Sequence, residues 1–173
     1  MQRTIITLCL LFCLQLSVNA QVEDKRTQTI EGTVNGVLDI ISGEIGEERD
    51  WDAFRNLFAP TAQTIVVNPK APPHSQIMSM NIEEFIRYIG PMYAKDGFLE
   101  VETGITINEF NGIANVFQSY EAKNLKGNYE EKGINSLQLV YNQDRWWIVS
   151  VTWTNADKNN PIPNEFLRPE LRK

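Results

Sequence analysis

Cysteine occurs at only two positions, Cys9 and Cys13, and both lie in an apolar N-terminal run. That run has the layout of a secretory signal. Arg3 supplies the positive start, Ile5 to Leu16 the apolar stretch, and Val18-Asn19-Ala20 a compact cleavage site. It is shorter than the roughly 20 residues a bilayer core requires, so a retained anchor is the weaker reading. Cys13 follows Phe12 rather than a small residue, which argues against lipidation. Cleavage after Ala20 removes 20 of 173 residues and leaves a chain of 153 with no thiol. Disulfides, thiol nucleophiles and cysteine-ligated metals are then excluded, and stability falls to an ordinary core. Histidine is as scarce, with His74 alone. Basic residues are outnumbered. Of the 16, only Arg3 leaves with the signal, so the net charge moves from −6 to −7. An acidic chain without a basic cluster is a poor match for nucleic acid or for an anionic membrane surface. No later apolar stretch is long enough to insert into a membrane.

What remains is rich in ordered elements. Ile30, Val34, Val37, Leu38, Ile41 and Ile45 recur at helical spacing, followed by a short helix capped by Asp50 with Trp51, Phe54, Leu57 and Phe58 on one stripe. Ala59-Pro60 ends that helix, Thr64 to Val67 is a short strand, and Asn68 to Gln76 is a proline-rich loop. Asn81 with Glu84 forms a capping box for a third helix, which Gly90-Pro91 kinks or interrupts. Two hairpins follow. Asn111-Gly112 pairs Phe110 with Ile113, and Asn142 to Arg145 pairs Tyr141 with Trp146. Helices first and long antiparallel strands after is the α+β order. The segments divide as signal peptide 1–20, one domain over 21–158 and a proline-bearing tail 159–173.

Strict alternation from those two pairs assigns the faces. In the first hairpin Leu99, Val101, Thr103, Ile105, Ile107, Val116, Gln118 and Tyr120 point inward, and Glu102 and Gly104 outward. Glu100 also falls on the outer face. In the second hairpin Leu137, Leu139, Trp146, Ile148 and Ser150 share one face. Val140, Trp147, Val149, Val151 and Trp153, with Ile134, share the other. The last strand is then apolar on both sides, and a twofold homodimer through the outer sheet face is the simplest cover. Ile162, Phe166 and Leu167 of the tail offer a rival cover.

Candidate chemistry is thin. His74 could serve acid–base catalysis if its loop closed over a site, though between Pro73 and Ser75 it reads more simply as a solvated loop residue. Tyr120 is the other catalytic candidate, but no inward strand position carries a carboxylate in this register. Thr103, Gln118, Tyr120, Asn135, Ser150 and Thr152, with Trp146, form an inward polar set. They describe either a pocket for a small apolar ligand or satisfied polar groups in a closed core. Gly32, Gly36, Gly43 and Gly46 lack the lysine and hydroxyl residue of a phosphate loop, and no metal-ligand spacing is present. No cofactor is expected.

The order helix, DWDAFRNLF helix, short strand, NIEEFIRYI helix and a sheet ending in RWWIVSVTW resembles nuclear transport factor 2-like proteins. With NPIP at Asn160 to Pro163, the ending is similar to an exported bacterial branch of that superfamily. The resemblance implies a curved antiparallel sheet wrapped around three N-terminal helices, a cystatin-like cone enclosing a pocket. It covers nearly the whole chain after the signal and specifies fold rather than activity. Dehydratases of the superfamily use a histidine–aspartate pair at the cone base, which His74 in its loop does not match. Its isomerases use a tyrosine with carboxylates facing an apolar cavity. Three functional readings follow. The first is an exported small-molecule-binding domain, non-catalytic and homodimeric. The others are an isomerase or lyase acting on a small apolar substrate, and a dimerisation module with a filled core.

Overall fold

The computed structural model describes residues 24–73 and 76–172. The proposed signal over residues 1–20 and the catalytic candidate His74 lie outside the described residues. Helix α1 (Ile30–Ile41) begins at Thr29, whose side chain accepts from the Gly32 N–H. It stops at Ser42, so Ile45 is not on its buried stripe and is 52% exposed. Helix α2 (Trp51–Leu57) is capped by Asp50, which accepts from the Ala53 N–H. The chain passes straight into strand β1 (Phe58–Val67), longer than the expected segment. Strand β2 (Ile77–Asn81) was not anticipated. It is an edge strand held by backbone pairing to β1, and its mostly exposed side chains carry little alternation.

Helix α3 (Ile82–Asp96) opens with the Asn81–Glu84 capping box, runs through Pro91 without interruption and ends at Gly97, φ +62°. Strands β3 (Leu99–Phe110), β4 (Ile113–Lys123), β5 (Glu130–Asn142) and β6 (Arg145–Asn155) complete one six-stranded sheet in the order β2-β1-β6-β5-β4-β3. All neighbours are antiparallel except β1 and β6. Both predicted hairpin pairs are present, Phe110 with Ile113 and Tyr141 with Trp146.

The sheet bends at three irregularities. Thr103 is an extra residue between the pairs Glu102–Tyr120 and Gly104–Ser119. Val149 is extra between Leu139–Ile148 and Gln138–Ser150. A longer irregularity in β1 lies between Phe58 and Gln63. Each leaves more residues on one strand than on its partner, which sharpens the twist and curls the sheet. The concave side holds α1, α2 and α3 over a core that includes Val34, Leu38, Phe54, Leu57, Val116, Leu137, Leu139 and Ile148. Arg49, itself buried, ties the α1 end to the rest: Nε donates to the Ile41 carbonyl, Nη1 to Glu47 and Nη2 to Gly43. A cation set against helical C-terminal carbonyls is electrostatically favourable there.

Each bulge also shifts every residue beyond it to the opposite face. In β3 the residues before the bulge change sides: Val101 is 57% exposed, Glu100 lines the interior, and Thr103 leaves the inner set. In β6, Val151 pairs with Leu137 and is buried, and Trp153 packs on Phe85 at 6.3 Å. Ser150 instead pairs with the exposed outer residue Gln138, and Thr152 with Ser136. The expected outward pair Val151 and Trp153 therefore points inward, and the expected inward pair Ser150 and Thr152 points outward.

The tail covers part of the outer face, over β3 and β4 rather than over the terminal hairpin. Phe166 stacks on Phe117 at 5.2 Å, the Ser119 hydroxyl donates to the Phe166 carbonyl, and the Arg168 N–H donates to the Thr103 carbonyl. Gly104 permits this approach, since a Cβ there would sit 2.1 Å from the Phe166 oxygen.

Candidate functional site

Between the concave sheet and the helices lies a cavity of about 240 Å³. It is somewhat smaller than the usual range for drug-sized ligands. Phe54, Phe85, Trp153, Leu38, Leu137 and Val151 form much of its apolar wall. Met92 and Tyr129 line it while being 59% and 41% exposed, so the cavity reaches solvent beside them.

Two carboxyl groups line this space, Asp96, which is paired with Lys126 at 2.5 Å, and Glu100. Glu100 lies opposite Ala122, itself a cavity residue, because the Thr103 bulge reverses the parity of β3 below it. Asn135 Nδ2 donates to Glu100 Oε1 at 3.0 Å. Ser42 fixes the backbone at this point: its hydroxyl accepts from the Glu100 N–H at 3.0 Å. Burial pushes the Glu100 carboxyl up to about 7, against a smaller downward pull from the Asn135 hydrogen bond. Removing an ionised carboxylate from water costs more than one amide donor returns.

Three tyrosines surround it. Tyr93 of α3, Tyr120 of β4 and Tyr129 of the β4–β5 loop are all held above the usual tyrosine range, chiefly by burial. The Glu100 charge is the next cause for Tyr93 and Tyr120. For Tyr129 the Glu131 hydrogen bond and charge come before it. The Tyr120 ring needs the space left by Gly133, where a Cβ would sit 2.5 Å from the phenol oxygen. Its hydroxyl donates to Asn155 Oδ1 at 2.8 Å. Asn155 Nδ2 and the Tyr129 hydroxyl both donate to Glu131 Oε2, completing a polar belt along one rim.

Of the seven pocket residues expected from sequence, Gln118, Tyr120 and Asn135 line the cavity. Gln118 also donates to Asn35 of α1 at 2.8 Å. The other four do not line it. Thr103 donates to Ser119 beneath the tail, and Ser150 and Thr152 lie on the outer face. Trp146 is buried at the far end of the core, edge-on to Tyr141 at 5.4 Å. Sequence reasoning missed Glu100, Tyr93, Tyr129 and Trp153. Two signals pointed to Glu100 and Trp153, and none to Tyr93 or Tyr129: an isolated glycine within a strand, Gly104, marks a bulge. The spacing of Trp146, Ile148, Val151 and Trp153, two-three-two, is an alternation with one residue inserted.

Glu102 does not line the cavity, and its Oε1 is paired with Arg168 of the tail at 3.0 Å. A larger but open groove of about 1090 Å³ lies along α2, β1 and Trp147. Most of its charges pair with one another, Arg55 with Asp52 and Glu83, and Arg26 with Asp24. Among the described residues no group of three or more histidine, cysteine, aspartate or glutamate side chains is placed to hold a metal ion. Among them, too, no helix is long and apolar enough to cross a membrane.

No protein-family model and no curated protein matches the chain. Solved structures do match. A nuclear transport factor 2-like protein of unknown function from Pseudomonas putida superposes with a TM-score of 0.56 at 7% identity, over 76% of this chain and 88% of that one. A candidate dehydratase of the same family from Streptomyces avermitilis gives 0.54 at 14% identity, over 72% and 91% of the two chains. A candidate ketosteroid isomerase from Shewanella frigidimarina gives 0.52 at 16%, over 72% and 93%. Identities this low speak to backbone architecture and not to chemistry. By its bent sheet, its three helices and these superpositions, the chain has the nuclear transport factor 2-like fold.

Proposed function

We propose that this is an exported domain that binds a small, mostly apolar molecule inside the cone, with Glu100 as the polar anchor. The observation that supports it most is a carboxyl group without an ion-pair partner among the described residues, Glu100, bonded to Asn135 and facing a mostly apolar and aromatic cavity. A few polar groups converging on an apolar hollow are the usual makings of a ligand site. A solvatochromic dye should bind the native protein one to one with micromolar affinity. Ala122→Phe, which fills the cavity, should abolish that binding. Ser150→Phe, on the outer face, should leave it unchanged. Equal binding in all three folded proteins would remove the cavity from consideration.

The same carboxyl group favours a second reading, proton transfer by an isomerase or lyase. A group that titrates near neutrality can both take up and release a proton at physiological pH. Turnover of a bound ligand that is lost in Glu100→Gln while binding persists would establish it over the first.

Export and assembly are parts of the proposal that rest on other residues. N-terminal sequencing of envelope-purified protein should find Gln21, and Met1 there would overturn export. A homodimer through the outer sheet face draws support from the row Phe110, Ile113, Val140 and Trp147, of which Phe110 is 77% and Ile113 59% exposed. Val151 and Trp153 contribute nothing to it. Sedimentation showing a monomer at tens of micromolar would discard the dimer.

A further inference from the structure

We infer that the ligand class is a small alkylated ammonium ion, tertiary or quaternary, whose charged head sits between Glu100 and the aromatic rings around it. This rests on the small-molecule reading above and narrows it. Three features of the cavity carry the inference.

The first is charge. Among the described residues, the cavity lining includes the carboxyl groups of Glu100 and Asp96 but no lysine, arginine or histidine. Asp96 is already paired with Lys126 at 2.5 Å. Glu100 has an amide donor and, among the described residues, no cationic partner. An anionic ligand would add a like charge to a low-dielectric space, at a cost that nothing in the lining offsets. A cation would supply the partner that Glu100 lacks.

The second is the rings. Eight of the lining residues are aromatic. Tyr93 stacks on Phe98 at 4.2 Å, Phe98 lies 6.3 Å from Tyr129, all three line the cavity with Glu100, and the Glu100 charge acts on both tyrosines. Faces of aromatic rings carry negative quadrupole density and attract cations, most strongly when water is excluded. The third is size and polarity. A cavity of about 240 Å³ with an apolar wall suits a compact ion whose charge is wrapped in methyl groups. A primary ammonium is strongly hydrated and would need several acceptors that the wall does not offer.

The groups facing Glu100 restrict what can titrate with it. They are Tyr93 from α3, Tyr120 from β4, Tyr129 from the loop and the uncharged Asn135 from β5, while Asp96 lines the same cavity in its pair with Lys126. Glu131 lies behind Tyr129, and Arg49 near Tyr93. The three tyrosines stay neutral well above pH 8.5. Glu100, pushed up to about 7, changes charge between pH 5.5 and 8.5. Ammonium affinity therefore rises with pH over that interval.

Calorimetric titration with choline, its uncharged carbon isostere 3,3-dimethyl-1-butanol and the anion 3,3-dimethylbutanoate tests this on the full protein. At pH 8.5 choline should bind at least tenfold tighter than the alcohol, and the butanoate should not bind. The preference should shrink at pH 5.5. It should vanish in Glu100→Gln while alcohol binding persists. It should survive in Glu121→Gln, whose carboxylate lies on the surface with Lys132. Choline binding no tighter than the alcohol at pH 8.5, or a preference retained in Glu100→Gln, overturns the inference. Absence of choline binding overturns it in every case. Binding of the alcohol or of the dye then decides separately whether the cavity reading stands.

Discussion

Val151→Glu should destabilise the protein by about 3–5 kcal/mol, enough to leave a large fraction unfolded at ordinary temperature. The new carboxylate would replace a side chain that is 8% exposed, pairs opposite Leu137 and lines the apolar cavity, with no cation at hand. Burial of an unpaired charge is among the few single changes with effects this large. Val149→Glu, two residues earlier, should cost under about 1 kcal/mol, because Val149 is the bulge residue and is half-buried. Strict alternation would put the two valines on the same face and make the two substitutions alike. Chemical denaturation of both proteins compares them directly. Equal costs would mean that the strand has no bulge and that the cavity wall is wrongly assigned.

Glu100→Gln should stabilise the protein at pH 8.5 by about 3 kcal/mol and leave it nearly unchanged at pH 4.5. The native carboxyl group titrates near 7, against an ordinary value of 4.5. Between those two values the folded state holds the proton and the unfolded state releases it. Stability of the natural protein therefore falls as pH rises through that window. The full penalty persists above it, where both states are ionised. Glutamine has no charge to bury, and its side-chain oxygen can still accept from Asn135. Other titrating groups contribute equally to both proteins and cancel in the difference. The expected gain corresponds to a rise in Tm on the order of 10 °C at pH 8.5. Urea midpoints that coincide at both pH values would show that Glu100 ionises freely. On the proposed reading of Glu100 as a ligand anchor, a group that costs stability until something binds it is the arrangement expected of function rather than of packing.

Most of the frame was legible in local patterns. The capping box at Asn81, the cap at Asp50, the Asn111-Gly112 turn and the Phe110–Ile113 and Tyr141–Trp146 pairs follow from contacts between residues close in sequence. Such contacts do not depend on the rest of the molecule. The core residues Val34, Leu38, Phe54, Leu57 and Phe85 were legible for the same reason, since helical period places them on one stripe. The order of these elements also carried the resemblance to the nuclear transport factor 2-like fold.

What failed was the propagation of parity. A face assignment made at a hairpin turn holds only until the first inserted residue, and β3 and β6 each contain one. The cost of misplacing it falls on the residues that matter here. Before Thr103 the sides exchange, and Glu100 enters the cavity while Val101 leaves it. After Val149 they exchange again, and Val151 and Trp153 replace Ser150 and Thr152 on the inner wall. The apparent two-sided apolar strand was one inner face read across a bulge.

The sequence alone thus determined the helices, the hairpin turns, the strand pairings nearest those turns and the α+β order, because short-range caps, periods and turn residues act within a few positions. The tertiary structure decided which side of the sheet each later residue occupies, where the tail lies and that a carboxyl group faces the cavity. Those follow from where a bent sheet must accommodate its helices, and curvature is a property of all six strands together.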